Sequence, residues 1–503
     1  MKDIKNIKDE ILLFALNASF AHHALGVLTL AARVNSGMKN TKSKVCFVLE
    51  CNINERDDEV FYKLYENAKN KKIVGFSCYI WNIEKMLKFA ENLKKLLPDI
   101  YVVFGGPEVS FYESGEFLKL YPFADCLIKG EGEIPLLELL ELNFKLNLKE
   151  PVDLYKNLYD NAEKYHTVYY ESSRGCPFGC SYCVSGIYNN KVRAKDIDVI
   201  LNELKFIEEK YYNCEDSSIN IIKFCDRTFN FDVKRANKLY KNLIERAEIY
   251  KKIYDKKLLP YQFEVYPSLF DEESFEILKS TPKDLFQMEI GIQSLNSKTL
   301  EAIGRKNFDV NKALENIAGI KSLGNIKVHV DLIAGLPYED LESFRDGFNL
   351  LYEKTKADFI QIGFLKFLRG TRIREEAGIY GYIYEESAPY TVLQNDYMSF
   401  EDIAFLRDIE KIYKRYTSKA YEKSFDFVYG NNKINIFDIL RFVAEYWREN
   451  NLFDKPVSQK NAFEAFYKAF ESREFFEKSK LEDFINLLER DFYEYEGKKL
   501  RLR

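Results

Sequence analysis

Short runs of uninterrupted apolar residues, separated by amphipathic stretches, recur through the first 375 residues. This alternation restricts the fold more than any other feature. A strand that is apolar on both faces must be buried on both, as in a parallel sheet with helices packed on each side. The first such runs are 11–16, 45–49, 73–78, 101–104 and 125–128, with amphipathic segments such as 83–97, closed by Pro98, between them. They predict an α/β, doubly wound, Rossmann-like domain of five strands over residues 1–145, with its ligand crevice at the carboxyl ends of the strands. After a polar connection at 141–165 the alternation restarts, with strands at 167–171, 220–225, 262–265, 285–290, 327–333 and 359–364. Helices are expected near 194–210, 232–250, 271–280, 297–303, 311–322 and 339–354. Six such units predict a partial (β/α)6 TIM-like barrel over residues 160–375, with chemistry at the carboxyl ends of its strands. Over 385–503 the pattern becomes helical and rich in Phe, Tyr, Lys and Glu, with segments at 401–416, 436–449 and 461–472.

A chain of 503 residues is too long for one core. Its 74 basic and 79 acidic side chains give a net charge of −5, so no basic field gathers phosphates and no nucleic-acid partner is expected. Residues 11–32 carry no formal charge, but Asn17, Ser19, His22 and His23 fall in their middle, where lipid would penalise them. A strand, loop and helix fit better than a membrane span, and the first ten residues mix Lys, Asp and Glu, unlike a secretory signal. A cytoplasmic protein is expected.

Nine cysteines in a chain this long do not make a disulfide framework. Six are scattered, as Cys46, Cys78 and Cys225 are, and read as buried thiols. The other three stand together in Glu171-Ser-Ser-Arg-Gly-Cys176-Pro-Phe-Gly-Cys180-Ser-Tyr-Cys183, directly after the first barrel strand. Three thiolates in so short a loop suit a soft metal centre, and Gly175, Pro177 and Gly179 supply its turns. On an iron–sulfur cubane they leave one iron open to a substrate, whereas four cysteines would not. The alternative, structural zinc, wants four protein ligands in paired spacing, and neither a second Cys-x-x-Cys nor a His pair stands nearby.

The Cys-x-x-x-Cys-x-x-Cys spacing, with Tyr182 before the last cysteine, resembles the signature loop of the radical S-adenosylmethionine (SAM) superfamily. The resemblance implies a 4Fe–4S cluster on Cys176, Cys180 and Cys183, whose open iron chelates the amino and carboxylate groups of SAM. Reductive cleavage would give a 5′-deoxyadenosyl radical, with electrons from a donor such as flavodoxin or ferredoxin. Later motifs are similar to those of the family one at a time. Asp226, in Phe-Cys-Asp-Arg-Thr-Phe, matches the second-strand position facing the SAM amino group, although the usual Gly-Gly-Glu is absent. Glu264 matches an acidic position near the methionine end. Gln293 and Ser294 resemble the strand-four motif that reaches the ribose. Arg305 matches the arginine that pairs with the SAM carboxylate, and Asp331 opens the segment that frames ribose and adenine. Tyr182 joins this SAM-binding set, and His329 reads as a core histidine.

A doubly wound domain ahead of such a barrel resembles the cobalamin-binding module of the cobalamin-dependent radical SAM subgroup. The segments that carry it are Leu16-Asn17-Ala-Ser, Gly75-Phe-Ser77-Cys-Tyr79-Ile-Trp81-Asn82, Gly105-Gly106-Pro107-Glu108 and Gly130-Glu131-Gly-Glu133. All follow strands. The resemblance implies that Gly105 and Gly106 admit the corrin or its nucleotide tail, and that Asn17, Ser77, Tyr79, Glu108 and Glu131 are polar contacts. Trp81 would shield the lower face. In Ala21-His22-His23-Ala-Leu-Gly26 the chain keeps the His and Gly of the Asp-x-His-x-x-Gly cobalt-ligating motif but has Ala21 where Asp would orient the imidazole. His22 or His23 as cobalt ligand therefore stands beside no protein ligand, and a domain that binds no corrin is a further alternative. Methyl transfer to an unactivated carbon of a small molecule or peptide is the favoured implication. Cyclisation or rearrangement, a methylthiotransferase with a further N-terminal cysteine cluster, and a non-enzymatic cobalamin or redox sensor are the others.

Overall fold

The computed structural model describes residues 11–20, 22–37, 44–144, 154–186, 191–430, 434–473 and 475–502. Ala21 and part of the expected connection at 141–165 lie outside them. The N-terminal sheet contains β1 (Ile11–Asn17), β2 (Cys46–Asn52), β3 (Ile73–Ser77), β4 (Tyr101–Gly105) and β5 (Cys126–Ile128), all parallel in the order β2-β1-β3-β4-β5. The order reverses between β1 and β3, and at such a switch point the connecting loops diverge and open a crevice. Alternate side chains of β1 feed two cores. Leu12, Phe14 and Leu16 pack with helices Asp57–Ala68, Ile83–Leu96 and Ser114–Leu120. Ile11, Leu13 and Ala15 pack with Leu25–Gly37 and Glu133–Phe144. Burial on both faces explains why these strands read as unbroken apolar runs.

The barrel sheet runs in sequence order through Thr167–Tyr170, Ile221–Phe224, Tyr261–Val265, Phe286–Gln293, Lys327–Ala334 and Phe359–Phe364, all parallel. Five of its helices start on an Asp or Asn that accepts backbone N–H groups of the first turn: Asp232, Asp271, Asn296, Asp309 and Asp340. The strands alternate. Phe263, Met288, Ile290, Val328 and Val330 are buried against the helices. Lys223, Glu264, Glu289, His329 and Asp331 fall on the opposite, partly open face. The lumen is thus polar.

Beyond the last barrel strand lie a short hairpin (Ile383–Tyr384 with Val392–Gln394) and helices Phe400–Tyr416, Glu422–Gly430, Ile436–Glu449, Gln459–Glu471 and Lys478–Glu496. Their apolar faces join the barrel's own core. Tyr413 and Phe437 meet Phe348 edge-on, and the Tyr413 hydroxyl accepts from Ile360 N at 3.1 Å, occupying an outward N–H of the edge strand. An open sheet edge needs such cover. The helices therefore seal the barrel's flank, while the hairpin region reaches the end of the fifth strand, where Tyr382 and Asn395 donate to the Gly335 carbonyl at 2.9 and 3.1 Å. Among the described residues no helix is long and apolar enough to cross a membrane.

Candidate functional site

The cysteine loop leaves the first barrel strand at its carboxyl end. Asp226, at the end of the second, fastens its start. Its carboxylate accepts from Ser172 N at 2.9 Å, from Ser172 Oγ at 2.6 Å and from Ser173 Oγ at 2.5 Å, and it is wholly buried. This corrects the expectation that Asp226 faces the SAM amino group: both its oxygens are already engaged beneath the loop. The next residue, Arg227, lies instead among Glu264, Cys176 and Cys183. Ser181 clamps the loop's middle, donating through N to Ile303 O and accepting at O from Ile373 N, both at 3.0 Å. Each of the three thiols has a hydrogen-bonding neighbour. Thr228 Oγ1 is 3.6 Å from Cys176 Sγ, Arg305 Nε donates to Cys180 Sγ at 3.4 Å, and Ser185 N donates to Cys183 Sγ at 3.4 Å. Three partly accessible thiols, two of them accepting from N–H groups, fit a thiolate-held cluster. Among the described residues no three metal-ligating side chains converge on a single ion; a cubane spreads its ligands over separate corners.

Arg305 is fixed against this loop. Its Nη1 donates to the carbonyls of Gly291 and Ile292 at 2.8 and 3.3 Å. Tyr266 and Phe308 flank its guanidinium at 5.4 Å, and Tyr182 lies close by, its hydroxyl pushed well up by burial. Gln293 ends the fourth strand with φ +74°, just past a register shift at Gly291. Its amide lies over Gly291, where a Cβ would come within 2.3 Å of Nε2. The next residue, Ser294, turns away. It is buried and donates to Glu339 Oε1 at 2.5 Å, so its expected place on the ribose is corrected to that of a fastener for the following loop.

Glu264, Glu289 and Asp331 line the lumen on adjacent strands, with Glu264 opposite Glu289 and Gly291 opposite Asp331. Lys223 pairs with Glu289 at 3.0 Å, and Gln262 donates to it at 2.6 Å. Burial, then Glu289 and Glu264, push the Asp331 carboxyl up to about 7. Burial also raises Glu264, opposed by Arg227. His329 faces this lumen instead of the outer core, because its strand position alternates with buried Val328 and Val330.

The N-terminal crevice holds two neighbouring cavities. A slot of about 360 Å³ is lined by Gly75, Ser77, Gly105, Gly106, Gly130 and Glu131, with Leu13, Val103 and Ile128 as apolar walls. A second cavity, about 330 Å³, is lined by Asn17, His22, His23, Tyr79, Trp81 and, from the barrel, Tyr169 and Cys225. Ser77, Tyr79 and Gly26 border both. A slot with glycine-lined ends and apolar walls, bordered by a second cavity of similar size, fits a corrin with a nucleotide tail.

Several residues read as cobalamin contacts are engaged elsewhere. Glu108 turns out of the slot to Arg369 and Tyr390, which corrects its expected role: its buried carboxylate needs the positive partner and hydroxyl donor that the barrel side supplies. His23 is buried, with Nδ1 at 2.9 Å from Thr167 O and its ring stacked on Tyr165, so Nδ1 is not free for cobalt. His22 shares a short hydrogen bond with the Tyr169 hydroxyl. The Asn17 amide donates to Glu50 and to His22 O, and the Trp81 indole donates to Leu16 O while stacking on Tyr79 at 4.4 Å. Sequence reasoning missed Glu50, Tyr169, Arg174, Arg227 and Cys225 in their observed roles. No local spacing marks them, because each acts on a residue distant in the chain.

Three family models match: a B12 binding domain over residues 11–140, the Radical SAM superfamily over 170–351, and Protein of unknown function (DUF4080) over 378–502. The chain is 25% identical over 356 residues to 2-(S-pantetheinyl)-carbapenam-3-carboxylate methyltransferase of Streptantibioticus cattleyicolor (62% of this chain, 49% of that protein). It is 27% identical over 327 residues to the cobalamin-dependent radical SAM methyltransferase TokK of Streptomyces tokunonensis (56% and 45%). The chain thus spans about half the length of these relatives. Its fold is similar to that of the cobalamin-dependent S-adenosylmethionine radical enzyme OxsB, with a TM-score of 0.62 and 13% identity over 97% of this chain and 83% of that one. For TsrM of Kitasatospora setae with cobalamin and a [4Fe-4S] cluster bound, the TM-score is 0.56 with 14% identity, over 76% and 82%. The cysteine loop, the crevice and these matches agree: the chain carries a radical SAM domain behind a B12-binding domain, and its cofactors are a 4Fe–4S cluster, SAM and cobalamin.

Proposed function

We propose that the chain is a cobalamin-dependent radical SAM methyltransferase acting on an unactivated carbon of a polar small molecule or peptide. One observation carries this reading: the cavity bordered by Asn17, His22 and Trp81 is also bordered by Tyr169 and Cys225, at the carboxyl ends of the first two barrel strands. The crevice of one domain thereby opens onto the reactive end of the other. Cys176, Cys180 and Cys183 would hold the cluster, and Gly105, Gly106, Ser77, Tyr79 and Glu131 would border cobalamin. Together the bound groups supply a reductively generated 5′-deoxyadenosyl radical and a transferable methyl group, with electrons from a donor such as flavodoxin or ferredoxin.

The chain's own residues bind and orient. Arg305, fixed through Nε and Nη1, presents Nη2 to the SAM carboxylate. Gln293 and Asp331 would stand at the ribose, where a carboxyl pushed up to about 7 can donate as well as accept a hydrogen bond. Lys223, Glu289, Gln262 and His329 give the lumen polar and charged contacts for a substrate of matching polarity. A methylthiotransferase would need a second cysteine-held cluster. Cys46 and Cys126 pack on one face of the N-terminal sheet and Cys51 and Cys78 on the other, which keeps them apart. The test is anaerobic reconstitution with iron, sulfide and hydroxocobalamin, followed by dithionite and SAM. The reading expects 5′-deoxyadenosine and S-adenosylhomocysteine, and it fails if neither forms while cluster and corrin are visible in the spectrum.

A further inference from the structure

We infer that Arg174 is a positioning residue shared by two cofactor sites, coupling cobalamin in the slot to the order of the cluster loop. This rests on the reading that the slot holds cobalamin. Arg174 stands two residues before Cys176 and is held by three carboxylates. Its Nε donates to Glu171 Oε2 at 2.6 Å, Nη2 donates to Glu133 Oε1 at 2.5 Å, and Nη1 lies 3.3 Å from Glu131 Oε2. Glu131 and Glu133 belong to the loop and first helical turn after β5, so two of the three come from the other domain. Arg193, paired with Arg174 across a two-residue antiparallel ribbon, binds the remaining Glu131 oxygen.

This ion cluster is a partition. Glu131, Glu133, Glu171 and Arg174 line the slot on one side, and the same four line a cavity of about 640 Å³ on the other. A ligand in the slot would therefore rest against Arg174 or against the carboxylates that fix it. The connection onward to the cluster is stiff. Gly175 has φ +96°, and a Cβ there would come within 2.8 Å of the Lys191 carbonyl, so the turn between Arg174 and Cys176 is packed against the returning strand of the ribbon. Ordering the partition orders the ribbon, and the ribbon sets where Cys176 begins.

Coupling of this kind is reciprocal: whatever factor the cluster adds to cobalamin affinity, cobalamin adds to the stability of the clustered loop. The experiment is an anaerobic spectral titration with hydroxocobalamin of the full chain, with and without its reconstituted cluster. It is run on the wild type, Arg174→Gln, Arg174→Lys and Arg193→Gln. The wild type is expected to bind about tenfold more tightly with the cluster than without. That ratio should fall towards one in Arg174→Gln, and to intermediate values in Arg174→Lys, whose point charge cannot span three carboxylates, and in Arg193→Gln. Equal weakening of both forms in the variants, with the ratio kept, marks a merely structural role and overturns the inference. A wild-type ratio of one overturns it too, while leaving the cobalamin reading standing. Failure of the wild type to hold corrin in either form overturns both.

Discussion

Tyr390 and Glu108 are 282 positions apart, and the tyrosine hydroxyl donates to Glu108 Oε1 at 2.5 Å. Arg369 Nε donates to the same oxygen at 3.2 Å. The glycine-rich loop after β4 is thus locked to the segment beyond the last barrel strand. Glu108→Ala would leave the Tyr390 hydroxyl without its acceptor and Arg369 Nε with the tyrosine oxygen alone. The expected cost is roughly 2 kcal/mol, below that of a fully buried pair because Arg369 is partly exposed. Chemical denaturation should show it as a lower midpoint. The folded variant should bind hydroxocobalamin as the wild type does; a large loss of corrin affinity without loss of stability would return Glu108 to the slot.

Gly291 leaves room for the Gln293 amide, and the atom that a new Cβ would meet is the end of a flexible side chain. Gly291→Ala should therefore displace Gln293 and leave the barrel folded. SAM affinity is expected to drop about tenfold, the worth of one hydrogen bond. Adding Gln293→Ala to Gly291→Ala should cost little more, as measured by equilibrium binding of SAM to each single and double variant.

Burial, and then Glu289 and Glu264, push the Asp331 carboxyl up to about 7. A carboxyl raised in the folded state keeps its proton there after the unfolded chain has lost it, so its contribution to stability falls as pH rises from about 4 to about 7. Asp331→Asn removes that penalty. The variant should gain up to about 4 kcal/mol over the wild type at pH 8 and next to nothing at pH 4, read from denaturation midpoints across the range.

His23 behaves in the opposite direction. Burial lowers it to about 4, with Glu50 and the Thr167 carbonyl opposing and His22 adding to the depression. Below its ordinary value near 6.5 the unfolded chain takes up a proton that the folded chain refuses, so stability should decline as pH falls from about 6.5 towards 4. His23→Gln should flatten that limb of the pH–stability curve, and an unchanged slope would assign the acid sensitivity to other groups.

Much of the molecule was legible along the chain. The five N-terminal strands and six barrel strands fall within a few residues of the apolar runs that predicted them, because burial on one or both faces leaves a local pattern. The place of the cysteine loop was equally readable, since its spacing and turns are local and it follows directly on the first barrel strand. The lumen was less so. Its polar side chains alternate with buried ones on the same strands, and reading His329 as a core histidine misses the half-buried lumen position it takes.

The polar crevice residues show where local reading stops. Asn17, His23, Glu108 and Glu131 stand in the loops where ligands gather, and sequence alone assigned them to cobalamin. What each side chain touches depends on partners brought from another domain: Tyr165 and Thr167 for His23, Arg369 and Tyr390 for Glu108, Arg174 and Arg193 for Glu131. The sequence by itself determined the sheets, the place of the cysteine loop and the loops of the crevice, because periodicity and spacing are local properties. Only the tertiary structure decided which of those loops' polar atoms are spent on joining the two domains, since a buried charge takes whichever partner the packing of distant segments places within hydrogen-bond reach.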